Sequence, residues 1–300
     1  MSETVELGHF DPDLIQQLGR IDLIARSITE GLTHGVHRSR RRGFSTEFSD
    51  FKPYVPGDDP RLLDWRVYAR TERLFVKRFE AETSLEVMLL LDATASMAWR
   101  YAERISKLEY AANLLAALAC LHMRQQDQVG LLAYDAQDIH HLPPRARRAQ
   151  LDAIFGVLAG LQPGRGEAFA VMADTLTEVR RHRGRIIACT DLEEDEERLG
   201  DALGRLAGLQ DEVILFHVLD RAEVELPFSD CTHLRDAENG ELLPVNLPLL
   251  KREHSASVRA FRERWRRRCE DWGILYQPID TGMNYAEVIL AFSEARRRLG

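Results

Sequence analysis

The sequence predicts an α/β protein: a mostly parallel sheet with helices on both faces, an N-terminal β-rich appendage and a small β insertion. Three observations lead there. From Leu85 onward, apolar runs of six to eight residues ("EVMLLL", "QVGLLAY", "RIIACT", "EVILFHVL", "GILYQPI") alternate with longer helical patterns. The runs are too uniformly apolar to have a solvated side, as expected of strands buried on both faces of a parallel sheet. And 300 residues at 45% hydrophobic and 29% charged, with no long low-complexity tract, suffice for one large domain with an appendage.

Taken in order, Leu14, Leu18, Ile21, Ile24, Ala25 and Ile28 form one stripe of a helix over about Asp13 to Glu30. From Gly43 to Thr83 aromatics alternate with polar residues. "VPGDDP" signals a dense turn and "RLFVKRFEAE" alternates like a strand, so residues 1–83 read as a helix plus a β-rich appendage. Residues 84–300 read as the α/β domain. In it "EVMLLL" is the first strand and "ERISKLEYAANLLAALACLHMRQ" a long helix. "QVGLLAY" and "DIHHL", joined by "DAQ", suit an antiparallel hairpin. "RARRAQLDAIFGVLAGL", "AFAVMADTLTEVRRH", "DEERLGDALGRLAGLQ", "SVRAFRERWRRRCEDW" and "NYAEVILAFSEARRR" are helices. Between Asp220 and Lys251 no helix pattern shows. Strand-like flanks around Glu238-Asn239-Gly240 predict a β insertion near 221–250.

Composition narrows the function. A net charge of −8 argues against a general nucleic-acid binder. The basic runs "HRSRRRG" and "RERWRRR" and the acidic run "DLEEDEE" are solvated faces or docking surfaces for partners of opposite charge. No apolar run reaches the roughly 18 residues that span a bilayer. The acidic first residues lack a signal-peptide core, so a cytoplasmic location is expected. Cys120, Cys189, Cys231 and Cys269 are far apart, with no CxxC, which disfavours zinc; Cys120 and Cys189 read as core residues.

The chemistry concentrates in "EVMLLLDATASMAW". A buried strand runs into Asp92, and hydroxyls follow at Thr94 and Ser96. Asp191 likewise closes "RIIACT". In an open parallel sheet ligands sit at the carboxyl ends of the strands, near the switch in strand order. Two strands thereby bring carboxylates to one rim, beside two hydroxyls. Hard oxygens of this mixture suit Mg²⁺ or Mn²⁺. A lone aspartate at a strand end is otherwise a helix cap or loop anchor. A strand ending in Asp also opens the haloacid-dehalogenase phosphatase motif, which would make the chain a metal-dependent phosphohydrolase using Asp92. That motif needs a general acid two residues on, where Thr94 stands. There is no G-x-S-x-G elbow, and His217, within an apolar strand, reads as a satisfied core residue.

"LLLDATASM" resembles the D-x-S-x-S signature of von Willebrand factor A domains, with Thr94 in place of the first serine, and "CTDLEED" resembles that fold's second metal-binding aspartate, at Asp191. The stretch "RSRRRGFSTEFSDFKPYVPGDDPRLLDWRVYARTERLFVKRFEAE" resembles the hallmark of a bacterial von Willebrand factor A-like family, domain of unknown function 58 (DUF58). With the α/β pattern that follows, the resemblance covers about residues 30–295. It implies a von Willebrand factor A-like fold. It also implies a non-enzymatic, chaperone-like adaptor working with a MoxR-type AAA+ ATPase or a client protein in complex assembly or maturation. The implied metal-ion-dependent adhesion-type site comprises Asp92, Thr94, Ser96 and Asp191, with Mg²⁺ or Mn²⁺ completed by a partner's acidic residue. Where the family places a threonine, "PGRGEAF" offers Glu167 or, one residue earlier, Gly166; Arg165 could instead fill the site with its guanidinium, which leaves a metal-free structural scaffold as the alternative. In the hallmark, Asp58, Asp59, Arg61, Asp64, Trp65, Arg66 and Arg70 form either a structural clasp or a partner-docking surface anchored on Trp65.

Overall fold

The computed structural model describes residues 21–37, 50–55, 63, 65–71, 73–78, 85–102, 104–135, 138–164, 168–180, 183–209, 211–228, 233–235 and 242–299. The chain divides into two compact units. One comprises residues 37–84, and the other combines residues 1–36 with 85–300.

The larger unit is built on a six-stranded sheet. Its strands are β3 (Glu86–Asp92), β4 (Gln128–Tyr134), β5 (Ile139–Arg145), β6 (Gly184–Thr190), β7 (Glu212–Leu219) and β10 (Leu275–Asp280), in the order β10-β7-β6-β3-β4-β5. All pairings are parallel except β4–β5, the hairpin expected from "DAQ". Counting from β3 as the first strand, the order is 3-2-1-4-5-6, the doubly wound arrangement. The expected mostly parallel α/β sheet is therefore the one found. Pro143 and Pro144 lie in β5, where the missing N–H groups fall on an edge strand.

Strand periodicity divides the apolar residues between two cores. Val87, Leu89, Leu91, Ile187, Cys189, Ile214, Phe216 and Val218 face one side. There they meet residues of α3 (Lys107–Arg124), α4 (Arg148–Gly160) and α9 (Tyr285–Leu299). Met88, Leu90, Ile186, Ala188, Val213 and Leu215 face the other side, toward α5 (Ala168–Val179), α6 (Glu196–Gly208) and α8 (Leu247–Asp271). Alternation at period two sends neighbouring side chains to opposite faces, so a wholly apolar strand needs both faces covered.

Several elements differ from the sequence reading. Helix α1 (Ile21–His37) buries Ile24, Ala25, Ile28 and Leu32 in the first core. It belongs with the α/β unit, so the chain divides after residue 36 as well as after residue 84, beside the boundary expected after residue 83; residues 13–20 of the expected helix lie outside the described ones. In the smaller unit β1 (Asp50–Pro53) and β2 (Phe75–Arg78) pair antiparallel, but a helix not anticipated there, α2 (Trp65–Thr71), lies between them in the chain. The β insertion is present as β8 (His233–Arg235) paired with β9 (Leu242–Pro244). It is flanked by a short helix the sequence reading did not contain, α7 (Arg221–Glu225), and α8 begins ten residues before the expected "SVRAF" start.

Gly184 shows how tightly β6 enters the sheet beside β3. A Cβ there would lie 2.0 Å from the Glu86 carbonyl oxygen. No backbone contact that short is tolerated, so Gly184→Ala should lower unfolding stability by about 1–3 kcal/mol, the range for overpacking a tight site. Urea denaturation followed by circular dichroism checks this.

Candidate functional site

The carboxyl end of every parallel strand is closed by an aspartate: Asp92, Asp135, Asp191, Asp220 and Asp280. Most of them anchor loops. Asp135 accepts the Asp138 N–H at 3.1 Å and the Gln162 N–H at 3.3 Å. Asp220 accepts the Ala222 N–H and the Thr281 hydroxyl. Asp280 accepts the Gly282 N–H at 2.9 Å. Asp92 and Asp191 differ because β3 and β6 are neighbours at the switch in strand order.

Asp92 is fully buried. Its Oδ1 accepts the Thr94 N–H at 2.9 Å, and its Oδ2 accepts the hydroxyl of Thr190, the last residue of β6, at 2.8 Å. The Thr94 and Ser96 hydroxyls lie 3.0 Å apart, and Ser96 opens a one-turn 3₁₀ helix, Ser96–Ala98. The segment before α5 closes one side: Gly164 bridges Thr94 and donates to the Ala93 carbonyl at 2.8 Å. Burial, and then the charge of Asp191, push the Asp92 carboxyl up to about 6, against the hydrogen bonds from Thr190 and Thr94.

The sequence reading missed Lys107. Its ammonium is fully buried and donates to Asp191 Oδ2 at 2.9 Å and to Glu223 Oε1 at 2.9 Å, with Glu193 Oε1 at 3.6 Å. Lys107 opens α3 behind a capping box made by Ser106 and Glu109. Burial and the helix N-terminus both disfavour a cation at that position. Asp191, Glu193 and Glu223 outweigh the burial and hold the lysine above its ordinary range. Glu223 arrives through a second capping box, in α7, where its Oε2 accepts the Asp220 N–H at 2.7 Å. Two signals in the sequence point to this centre: "DRAE" carries the D-x-x-E spacing of a capping box, and Lys107 is in helical phase with Ala111, Leu114 and Leu118, all at most 1% exposed.

The remaining assigned residues are distributed as follows. Arg165, Gly166 and Glu167 lie outside the described residues, as do Asp58, Asp59, Arg61 and Asp64. Trp65, at the start of α2, is 63% exposed and meets Tyr68 edge to face at 6.2 Å, while Arg70 is exposed in the last turn. Trp65 is thus an exposed aromatic of the smaller unit. His217 is a core residue: it is fully buried, its Nδ1 lies 2.6 Å from the Tyr276 hydroxyl, and burial and then the Arg262 charge push it down to about 3.

The family model named "Protein of unknown function DUF58" matches residues 50–264. The chain belongs to the DUF58 family. An uncharacterized protein of Mycobacterium tuberculosis (strain ATCC 25618 / H37Rv) is 27% identical over 293 residues, covering 96% of this chain and 91% of that relative. An uncharacterized protein of Mycobacterium bovis matches to the same extent. Among solved structures, conserved hypothetical protein BatB from Bacteroides thetaiotaomicron is similar at 20% identity and a TM-score of 0.48, covering 72% of this chain and all of that one. The VWA domain of SpRpn10 is similar at 13% identity and a TM-score of 0.39, covering 69% of this chain and 94% of that one.

Whether this DUF58 chain's residues fit a divalent cation turns on Asp191. A carboxylate and two hydroxyls, at Asp92, Thr94 and Ser96, are suitable hard donors. Asp191, the second carboxylate of the implied site, is already paired with an ammonium. Among the described residues no group of three His, Cys, Asp or Glu side chains is arranged to hold a metal. With Asp191 so engaged, the hard donors that remain for a cation at this rim are Asp92, Thr94 and Ser96. As a nucleophile Asp92 is poorly disposed: it has no exposed face, and both oxygens accept hydrogen bonds.

Two stability measurements test the electrostatics. A carboxyl whose folded value is raised destabilises the fold increasingly as pH rises from its unfolded value, about 4, through about 6, and by a constant amount above that. With chelator present, Asp92→Asn should therefore be more stable than wild type by ~1–3 kcal/mol at pH 7.5, with the difference vanishing near pH 4. Denaturant midpoints at the two pH values read this out. Lys107→Met leaves Asp191 and Glu223 uncompensated and should cost ~3–5 kcal/mol at pH 7.5. Adding Asp191→Asn should recover part of that loss in the same assay.

Proposed function

We propose that this protein is a non-enzymatic interaction adaptor that docks a partner at the carboxyl end of its sheet, on the rim formed by Asp92, Thr94 and Ser96. The observation that carries this reading is the Asp92–Thr190 hydrogen bond. It joins the two central strands at the switch point and places a buried carboxylate beside two hydroxyls. The partner class is the one the sequence resemblance implies: a MoxR-type AAA+ ATPase, or a client protein handled with it.

In this reading Asp92, Thr94 and Ser96 hold Mg²⁺ or Mn²⁺, and Asp191 stays on Lys107. A cation bound there supplies positive charge for an acidic side chain of the partner. The chain's own residues orient the site. The Thr94 N–H and Thr190 hydroxyl fix the Asp92 plane, and Lys107 engages Oδ2 of Asp191.

Two measurements test this together. Equilibrium binding of the full chain to a MoxR-type AAA+ ATPase, in Mg²⁺ or in chelator, should show binding that weakens at least ten-fold with chelator or with Asp92→Asn. A phosphatase assay on the same samples should show no turnover. Binding unaffected by both changes removes the rim from the interaction. Phosphate release that disappears with Asp92→Asn makes the chain an enzyme.

A further inference from the structure

The Asp92 rim lies at the carboxyl ends of the parallel strands. At their amino ends a separate row of polar side chains runs through the fold. His122, in the last turn of α3, is 5% exposed. Its Nδ1 lies 2.7 Å from Oδ2 of Asp127, just before β4, and its Nε2 lies 3.4 Å from Nη1 of Arg185 in β6. Arg185 is buried and donates through Nε and Nη2 to Oε2 of Glu212, the first residue of β7, at 2.9 and 2.7 Å. Glu212 Oε1 accepts from Arg296 of α9 at 2.7 Å. At the other end of the row, Asp127 Oδ1 accepts the Leu85 N–H at 3.2 Å. Leu85 is where the chain passes from residues 37–84 into β3.

The two neighbours of the ring fix its protonation state. A carboxylate only accepts and a guanidinium only donates, so Nδ1 carries the proton and Nε2 offers its lone pair. A second proton, at Nε2, would set two donors face to face and place an imidazolium beside a guanidinium away from water. Burial pushes the imidazole below its ordinary value, against the hydrogen bond with Asp127 and the Asp127 charge; the Arg185 and Arg296 charges act in the same direction as burial. Arg185 is gripped by two bonds to Glu212, so on protonation the ring is the part that gives way. Asp127, then paired with an imidazolium, follows it, and the Leu85 N–H loses its acceptor. The Leu85 carbonyl keeps the Gln128 N–H at 2.9 Å.

We infer that His122 is an acid-sensitive latch on the entry of β3: the neutral imidazole links Asp127 to Arg185 and closes it, and protonation parts the ring from Arg185 and frees the Leu85 amide. The folded chain resists a proton that an unfolded histidine takes up at about 6.5, so the latch contributes fully at pH 7.5 and its contribution is lost as pH falls below about 6.5. Comparison of wild type with His122→Gln at each pH removes the titration of Asp92, which both carry.

Ring ¹⁵N resonances of His122, assigned in the full chain, report its protonation. At pH 7.5 wild type should show the Nδ1–H form. Asp127→Asn, which turns an amide donor toward Nδ1, should move the proton to Nε2. Between pH 7.5 and pH 4.5 the hydrogen-exchange protection factor of the Leu85 amide should fall at least ten-fold in wild type and hold in His122→Gln. The denaturant midpoint of wild type should fall relative to that variant over the same interval. An Nε2–H or doubly protonated ring in wild type at pH 7.5 overturns the inference. Equal loss of Leu85 protection in wild type and His122→Gln removes His122 from the response. Should His122→Gln fail to fold, wild type decides alone: ring protonation and loss of Leu85 protection should share one midpoint, and protection that persists after the ring has titrated overturns the latch.

Discussion

The Lys107 ammonium, set between Asp191, Glu223 and Glu193, joins three parts of the chain that are distant in sequence. It ties the first turn of α3 to the end of β6 and to the short helix α7. Each group alone would be expensive: a lysine at a helix N-terminus, an aspartate 1% exposed, a glutamate folded back into its own cap. Together they satisfy one another. The arrangement also sets the character of the rim. Asp191 is paired with a cation from the same chain and Asp92 is not, and burial, followed by the charge of Asp191, raises the affinity of Asp92 for a proton.

The same edge shows why aspartates at strand ends are ambiguous. Five parallel strands end in one, and each is used first to receive backbone N–H groups as the chain turns out of the sheet. Function requires something more than that role. For Asp92 the addition is a neighbouring strand whose last hydroxyl reaches across, and a following turn that brings two hydroxyls to within 3.0 Å of each other. Strand order decides this, since only strands adjacent at the switch place their following loops around a common space.

What the sequence made legible follows from local rules. Uniformly apolar runs identified the buried strands, the short "DAQ" link identified the antiparallel edge, and motif position brought Asp92, Thr94, Ser96 and Asp191 to one rim. What escaped depended on interactions at long range in the chain. Lys107 lies 84 residues from Asp191 and 116 from Glu223, so no window contains the pair that explains it. Read locally it is one polar residue near a helix start. Helix α7 is a single capped turn, too short for any apolar period, though its capping box was there to be read. Helix α1 was grouped with its neighbours in sequence, yet its apolar stripe is buried in the α/β core; periodicity fixes that a helix has an apolar face but not which core receives it. Helix α2, seven residues amid turn-rich sequence, likewise lacks the length to show a stripe.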